Sequence, residues 1–316
     1  MKLVIQIPCL NEEMTLPLVF EKMPKKIKGV DIIEYQIIDD GSFDKTVEVA
    51  RSLGVKHVIT HVGNQGLGRS FHDGVMAALD RGADIVVNTD GDNQYPSERI
   101  ADLVQPIIDG NADIVIADRQ THKITHFSWT KKTLQRVGSK ILSRAAGLDI
   151  PDAASGFRAY SRQSLIRINT VTRFSYCMET IIQAGNKGLA IVSIPVTTNP
   201  KTRESRLFKS TPEHVIKSGV TIIRAYTMYR PYVLFNSLAT TLGLLGAIPF
   251  GRYLYFAAHH QRGSHVQSLL VGSILLIGAF VCVALGVIAD LVRITRLLQE
   301  ASLESIKETR FNQKST

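Results

Sequence analysis

The chain has 316 residues and a formal charge of +9, long enough for one sizeable buried core and room for a second. Mean hydropathy is slightly positive although 21% of residues are charged, so apolar and polar segments must be separated along the chain. Three scattered cysteines, Cys9, Cys177 and Cys282, exclude a disulfide framework and a cysteine-built zinc site. The basic balance comes with no recognisable nucleic-acid motif, so nucleic acid is not an expected partner.

The first 120 residues alternate strand-like and helix-like segments. Leu3-Val4-Ile5-Gln6-Ile7 is a short apolar run stopped by Pro8, with a helix start at Asn11-Glu12-Glu13. Tyr35-Gln36-Ile37-Ile38 is a second strand ending at Asp39-Asp40-Gly41-Ser42, and Asp44 leads into a helix from Lys45 to Leu53. Lys56-His57-Val58-Ile59 is a third, followed by a helix from Arg69 to Arg81. Asp84-Ile85-Val86-Val87-Asn88-Thr89 and Asp113-Ile114-Val115-Ile116-Ala117 come next. This alternation predicts βαβ units in an α/β, Rossmann-like, mostly parallel sheet. Ligands bind such sheets beyond the carboxyl ends of the strands, where Glu12, Asp40, Asp90, Asp92 and Arg119 fall.

Further along, Lys131 to Ala146 reads as a basic amphipathic helix, with Leu134, Val137, Ile141 and Leu142 on one face. Residues 151–158 read as a polar loop, Met178 to Lys187 as a helix and Ile191 to Val196 as a last strand. Thr211 to Arg230 is amphipathic, with Val215, Ile216, Val220, Ile222 and Ile223, and is expected at a membrane interface. Tyr232 to Phe250 and Val266 to Ala289 carry no charge, and each covers roughly the 20 residues that cross a bilayer. They predict a transmembrane hairpin joined by a loop around His259-His260-Gln261-Arg262-Gly263. Arg224, Arg230, Arg293 and Arg296 flank its outer ends, against Arg252 and Arg262 on the loop side, which places both termini in the cytoplasm. No signal peptide is apparent. Small residues at helical spacing, Ala239, Gly243 and Ala247, then Gly278, Cys282 and Gly286, suit packing within the hairpin or in a homo-oligomer. The division expected is 1–210, an interfacial helix 211–230, a hairpin 231–292 and a cytoplasmic tail 293–316.

The fourth apolar run closes on Asp90-Gly91-Asp92, with Gln94 two residues further on. Asp-Gly is also an ordinary turn signal, but two carboxylates kept together at a strand end can hold a hard divalent cation against a diphosphate. Oxygen donors suit Mg²⁺ or Mn²⁺. Asn64-Gln65-Gly66-Leu67-Gly68 fails the spacing of a dinucleotide fingerprint and reads as a tight turn into a helix. The nine histidines suggest no metal site; His57, His61, His72 and His126 are expected as surface or strand-end residues. The cluster Lys201, Arg203, Arg206, Lys209 and Lys217, just ahead of the first span, suits anionic headgroups or a phosphorylated substrate.

In order along the chain, Pro8-Cys9-Leu10-Asn11-Glu12-Glu13, Asp39-Asp40-Gly41-Ser42 with Asp44, and Asp90-Gly91-Asp92 with Gln94 resemble the GT-A fold of the family 2 inverting glycosyltransferases. Asp152-Ala153-Ala154-Ser155-Gly156-Phe157-Arg158 and Arg203-Glu204-Ser205-Arg206 narrow the resemblance to polyprenyl-phosphate sugar transferases, the dolichyl-phosphate mannosyl- and glucosyltransferases and their bacterial bactoprenol counterparts. The resemblance implies that Pro8, Leu10 and Glu12 cradle base and ribose, that Asp40 binds the base, and that Gly91 lies against the nucleotide sugar. Asp90 would face ribose or metal, Asp92 and Gln94 would bind Mg²⁺ or Mn²⁺, and Arg119 would reach the diphosphate. Arg203 would close over the phosphates with Arg206 and Lys209; Glu204 and Arg206 stand where the family pattern has Gly and Lys, so the pairing of these cations with phosphates stays open. Asp152 is implied beside the acceptor, as a positioning group more than a base, and Asp92, Asp152 and Arg203 as the catalytic set. The implied activity is inverting transfer of a hexose, glucose from UDP-glucose, to undecaprenyl phosphate, with the GT-A domain on the cytoplasmic side of the inner membrane. A GDP-mannose-dependent mannosyltransferase and a non-catalytic membrane scaffold are the alternatives. A processive polysaccharide synthase is disfavoured, because the single tryptophan, Trp129, has no Gln-x-x-Arg before it.

Overall fold

The structure, a computed structural model, describes residues 1–120, 138–140, 143, 146–170, 176–200, 220, 227, 231–259 and 266–312. The chain divides into two compact units, one of residues 1–222 with 302–316 and one of residues 223–301.

The first unit is built on one seven-stranded sheet. Its strands are β1 (Lys2–Cys9), β2 (Ile32–Asp39), β3 (His57–Thr60), β4 (Ile85–Asn88), β5 (Ile114–Asp118), β6 (Arg158–Ser161) and β7 (Ile191–Pro195), in the order β3-β2-β1-β4-β6-β5-β7. β1 runs parallel to β2 and β4, β2 to β3, and β5 to β7, whereas β6 is antiparallel to both β4 and β5. The mostly parallel sheet is therefore present, with a reversed strand inserted where the sequence suggested only the end of a polar loop. β6 escaped notice because it has four residues and opens on an arginine. The described helices of this unit are α1 (Leu16–Glu21), α2 (Thr46–Ser52), α3 (Leu67–Asp80), α4 (Ile100–Ile108), α5 (Arg162–Arg167) and α6 (Tyr176–Asn186).

β1 passes through Pro8 instead of stopping before it. Its pairing with β4 ends at Gln6 opposite Asn88, while pairing with β2 continues to Cys9 opposite Asp39. Pro8 thus sits where β1 has a neighbour on one side only, a place that tolerates a residue without an N–H.

The two sheet faces differ. On one, Leu3, Ile5, Ile7, Ile37, Val87 and Val115 pack with Leu16, Val19, Leu103, Val104 and Phe157 into the main core. The other carries Gln36, Gln6, Asn88 and Arg158 at successive register positions on four adjacent strands, all fully buried. A buried amide without a partner costs about 1–3 kcal/mol, so this polar row needs partners from the elements over it. Gln36 donates to Gly74 O in α3 (2.9 Å), Gln6 to Asn88 Oδ1 (3.0 Å), and Asn88 to the Tyr176 hydroxyl of α6 (2.7 Å). Gly74 lets α3 settle onto the row: a Cβ there would come within 2.5 Å of Gln6 Oε1 and 2.8 Å of Ile38 Cδ1.

The second unit holds α7 (Pro231–Ala258) and most of α8 (Val266–Asn312). Both are long and apolar enough to cross a membrane, with mean hydropathies of 1.6 and 2.7. Of the expected small residues Ala239, Cys282 and Gly286 are buried, and Gly246 and Gly272, which the sequence did not single out, pack closely as well. A Cβ on Gly246 would lie 2.9 Å from Leu275 Cβ and one on Gly272 2.8 Å from the Phe250 nitrogen, against 3.9 Å from Ala279 Cβ at Gly243.

α8 continues beyond the expected span end at Ala289, and its residues from Ser302 onward belong to the first unit. Glu304 meets Arg167 (3.1 Å) and Lys187 (2.9 Å), and Lys307 Nζ donates to Ile168 O just past α5 (2.8 Å). Arg162 donates to Phe311 O (2.8 Å), and the Phe311 side chain is fully buried. The segment expected as a tail is thus a docked helix end. Of the expected interfacial helix 211–230, only Val220 and Thr227 are described, both helical, and residues 131–137 of the basic amphipathic helix also lie outside the described residues.

Candidate active site

The turns after β1 and β2 are bonded to each other reciprocally. The backbone N–H groups of Asn11, Glu12 and Glu13 donate to Ser42 Oγ (2.8 Å), Thr46 Oγ1 (2.8 Å) and Asp44 Oδ2 (3.2 Å). In return, the N–H groups of Phe43 and Lys45 donate to Asn11 Oδ1 (2.9 Å) and Glu13 Oε2 (3.0 Å). Side chains replace a ladder here because both strands have ended and their N–H groups still need acceptors. Asn11 holds a left-handed φ of 57°, which asparagine tolerates better than most residues. Pro8 and Leu10 are half-buried at this rim, and Glu12 is buried, its carboxylate accepting from Thr15 Oγ1 (2.6 Å).

Asp40 closes the third turn. Its Oδ1 accepts the Gln65 N–H (2.8 Å) and lies 2.8 Å from His61 Nδ1, while Oδ2 accepts the Gly66 N–H (2.9 Å). Gln65 and Gly66 immediately precede α3, so the carboxylate also sits at the positive end of that helix.

Asp90-Gly91-Asp92 follows β4 as expected. Asp92 Oδ1 accepts the Gln94 N–H (3.1 Å), and Asn93 between them is left-handed at φ 60°. A Cβ at Gly91 would lie 3.0 Å from Cys9 Sγ and 3.3 Å from Glu12 Cγ, so any larger residue would crowd the acidic turn against the β1 turn. On the other flank, a Cβ at Gly156 would come 3.3 Å from Asp90 Oδ1. Asn199, just past β7, donates through its side chain to Asn93 O (3.0 Å) and through its backbone to Gln94 O (2.9 Å). The chain therefore enters the basic segment from a point bonded to the acidic turn. Arg203, Arg206 and Lys209 themselves lie outside the described residues.

Among the described residues, no three His, Cys, Asp or Glu side chains are gathered as a cation cage. The half-buried carboxylates of Asp90 and Asp92 with the amide of Gln94 are a donor set of hard oxygens. They fit a small divalent ion that keeps waters and takes its remaining ligands from phosphate oxygens.

Arg119 and Asp152, which the sequence assigned to different substrates, are paired with each other. Arg119 Nε donates to Asp152 Oδ2 (2.6 Å) and its Nη2 to Oδ1 (2.8 Å), and the Arg119 N–H adds a longer bond (3.2 Å). Asp152 is buried. Burial pushes its pKa up, yet the adjacent guanidinium outweighs burial and holds the carboxyl below its ordinary value. A carboxylate so held is a poor proton acceptor.

The loop bearing Asp152 is fixed by groups to which sequence reasoning gave no role. The buried Arg158 guanidinium donates to Ala153 O (2.8 Å), Ser155 O (2.7 Å), Cys177 O (2.9 Å) and Thr180 Oγ1 (3.0 Å). The Tyr95 hydroxyl accepts the Gly156 N–H (3.1 Å), and the Tyr176 hydroxyl donates to Gly156 O (2.9 Å). Burial pushes the Tyr95 hydroxyl up to about 12, so it stays protonated. The available signal was Asn88, a polar residue closing the apolar run of β4 and needing a partner on the facing helix.

Residues 4–168 match the Glycosyl transferase family 2. The polyprenol monophosphomannose synthase of Mycolicibacterium smegmatis is 28% identical over 205 residues, covering 61% of this chain and 76% of that protein. The undecaprenyl-phosphate mannosyltransferase of Micrococcus luteus is 26% identical, covering 62% of this chain and 83% of its own length. The undecaprenyl-phosphate 4-deoxy-4-formamido-L-arabinose transferase of Proteus mirabilis is 33% identical over 51% of this chain and 49% of its own. Among solved structures, glucosyl-3-phosphoglycerate synthase from Mycobacterium tuberculosis, in complex with Mn²⁺, UDP and glucosyl-3-phosphoglycerate, superposes with a TM-score of 0.55 at 22% identity, covering 70% of this chain and 79% of that one. The fold is GT-A, as the strand-end motifs implied.

Proposed function

Since the chain belongs to the family 2 glycosyltransferases, we propose that it transfers a hexose from a nucleoside diphosphate sugar to a membrane polyprenyl phosphate, with inversion at the sugar carbon. UDP-glucose and undecaprenyl phosphate are the substrates proposed; GDP-mannose is the second donor, favoured by two relatives named for mannose. The observation that carries the reading is the joining of two acidic elements at one rim, with Gly156 of the Asp152 loop seated against the Asp90 carboxylate. A donor diphosphate at Asp90 and Asp92 would thereby lie beside an acceptor phosphate at the Arg119–Asp152 pair. Two helices long and apolar enough to cross a bilayer would keep the chain at the membrane that holds the lipid tail.

In the proposed reaction an acceptor phosphate oxygen forms a bond to the anomeric carbon as its bond to the diphosphate breaks. The nucleoside diphosphate leaves with the electron pair. A phosphate monoester ionises a second time near pH ~6, so it brings its own nucleophile and needs no general base. Asp152, held ionised and engaged on both oxygens, is then a positioning group for Arg119. That pairing uses two of the five guanidinium donors, and the remaining donors would be left for the acceptor phosphate. Asp90, Asp92 and Gln94 would hold Mg²⁺ or Mn²⁺, which would supply Lewis-acid stabilisation of the leaving diphosphate. Pro8, Leu10, Glu12, Asp40 and Gly91 are assigned to the nucleoside side, and Arg203, Arg206 and Lys209, outside the described residues, are assigned to the phosphates. The GT-A unit and both termini are assigned to the cytoplasmic side of the inner membrane, from the arginine bias at the span ends.

The test is to incubate membranes containing the chain with a panel of radiolabelled nucleotide sugars and extract the lipid. Label entering the lipid fraction from UDP-glucose, or from GDP-mannose, supports the transfer and identifies the sugar. Label from no nucleotide sugar would overturn it.

A further inference from the structure

His61 stands at the end of β3, as the sequence suggested, but is not at the surface: its side chain is only 8% exposed. Its backbone N–H continues the strand pairing by donating to Asp39 O (2.9 Å), which fixes the position of Cα. The imidazole lies between two carboxylates. Nδ1 is 2.8 Å from Asp40 Oδ1, and Nε2 is 3.3 Å from Asp73 Oδ2 on α3. The second contact is a close approach rather than an aligned hydrogen bond, since Nε2 has no hydrogen-bond partner among the described residues. Asp73 is anchored from elsewhere by Arg69 Nε (2.8 Å) and lies 3.1 Å from His72 Nδ1. Despite partial burial, these neighbours hold its carboxyl below the ordinary value.

The row Asp40–His61–Asp73 therefore joins the β2 turn to the second turn of α3 through one ring. The backbone allows little play around it: a Cβ on Gly41 would come 2.7 Å from Gly63 Cα, so the β2 and β3 turns are pressed together. Within this frame the Asp40 carboxylate receives the Gln65 and Gly66 N–H groups. Which way it faces decides how the turn before α3 meets a nucleotide lying over β1 and β2.

We propose that His61 is a positioning residue of the donor subsite, braced by Asp73 and acting through Asp40 to hold the Gln65–Gly66 turn against the nucleoside diphosphate. The inference rests on the donor reading given above. It expects an effect on donor binding, whereas loss of the leaving-group carboxylates affects turnover.

The full-length protein in detergent with Mg²⁺ is titrated with UDP and with GDP, and donor KM and kcat are measured for wild type, His61→Leu, Asp73→Asn and the double variant. Each single variant is expected to weaken the nucleoside diphosphate that wild type binds about fivefold to tenfold. Donor KM should rise in step, kcat should stay within about twofold, and the double variant should bind no more weakly than the weaker single. His61→Gln keeps a donor toward Asp40 and should recover part of the affinity lost in His61→Leu; Asp73→Asn decides the matter should His61→Leu fail to fold. Affinity within twofold of wild type in a folded His61→Leu or in Asp73→Asn would overturn the positioning role, as would additive losses in the double variant. Wild type that binds neither nucleotide would remove the donor reading and this inference with it.

Discussion

Asp152 shows how a single residue changes meaning once its neighbours are known. Its loop position was legible, and so was Arg119 at the end of β5, but 33 residues separate them and no local periodicity signals their contact. Breaking a buried ion pair from one side typically costs about 3–5 kcal/mol, while replacing both partners by apolar groups costs far less. Asp152→Asn should therefore lower stability by about 3–5 kcal/mol in urea unfolding, and Arg119→Met with Asp152→Leu should recover much of that. The pH dependence follows from the sign of the shift. Arg119 holds the folded pKa of Asp152 below its unfolded value of about 3.9, so the contribution is complete above that value and is lost as pH falls through the folded pKa. Acid unfolding below about pH 4 should consequently be less steep in Asp152→Asn than in wild type. Arg158 was also visible as a residue without a visible task. Only the fold shows that it returns to hold the carbonyls of its own loop.

At the scale of elements, strands with apolar runs were legible because their period and their terminating acids agree. β6 was not, since four residues beginning with a buried arginine look like loop. The polar row across four strands explains both that arginine and Gly74. Alanine is favoured over glycine inside a helix by about 1 kcal/mol, but a Cβ at Gly74 would stand 2.5 Å from Gln6 Oε1 and 2.8 Å from Ile38 Cδ1. Overpacking of this kind costs about 1–3 kcal/mol, so Gly74→Ala should lower the melting temperature despite its better helix propensity. The docked end of α8 was equally hidden, because its charges Glu304, Lys307 and Arg310 look like those of any solvated tail. Phe311→Ala removes a fully buried ring and should cost about 3–5 kcal/mol. Truncation after Ala301 should expose Arg162 and Lys187 to solvent, read as faster hydrogen exchange in β6 and α5.

For the whole molecule, the order of motifs followed by two uncharged runs pointed to a GT-A unit and two long apolar helices, and the chain divides into one unit of residues 1–222 with 302–316 and one of residues 223–301. Helix phase within the hairpin was legible only in part: Ala239, Cys282 and Gly286 are buried as their spacing suggested, whereas only the packed pair shows that Gly246 and Gly272 meet. Gly246→Leu should force the helices apart and lower the thermal stability of the detergent-solubilised hairpin. Described Cys9, Cys177 and Cys282 are all buried, so a cysteine introduced at His259 can be labelled selectively; labelling from outside intact cells is expected if the termini are cytoplasmic. The central claim is that carboxylates after β4 stabilise a leaving nucleoside diphosphate while a lipid phosphate attacks. Release of UDP or GDP from its sugar, measured with and without polyprenyl phosphate, tests it most directly. Release should require both lipid phosphate and a divalent ion, and should fall by at least about a hundredfold in folded Asp92→Ala, since loss of leaving-group stabilisation is worth several kcal/mol. Release in Asp92→Ala at the wild-type rate, or release indifferent to lipid phosphate, would contradict it.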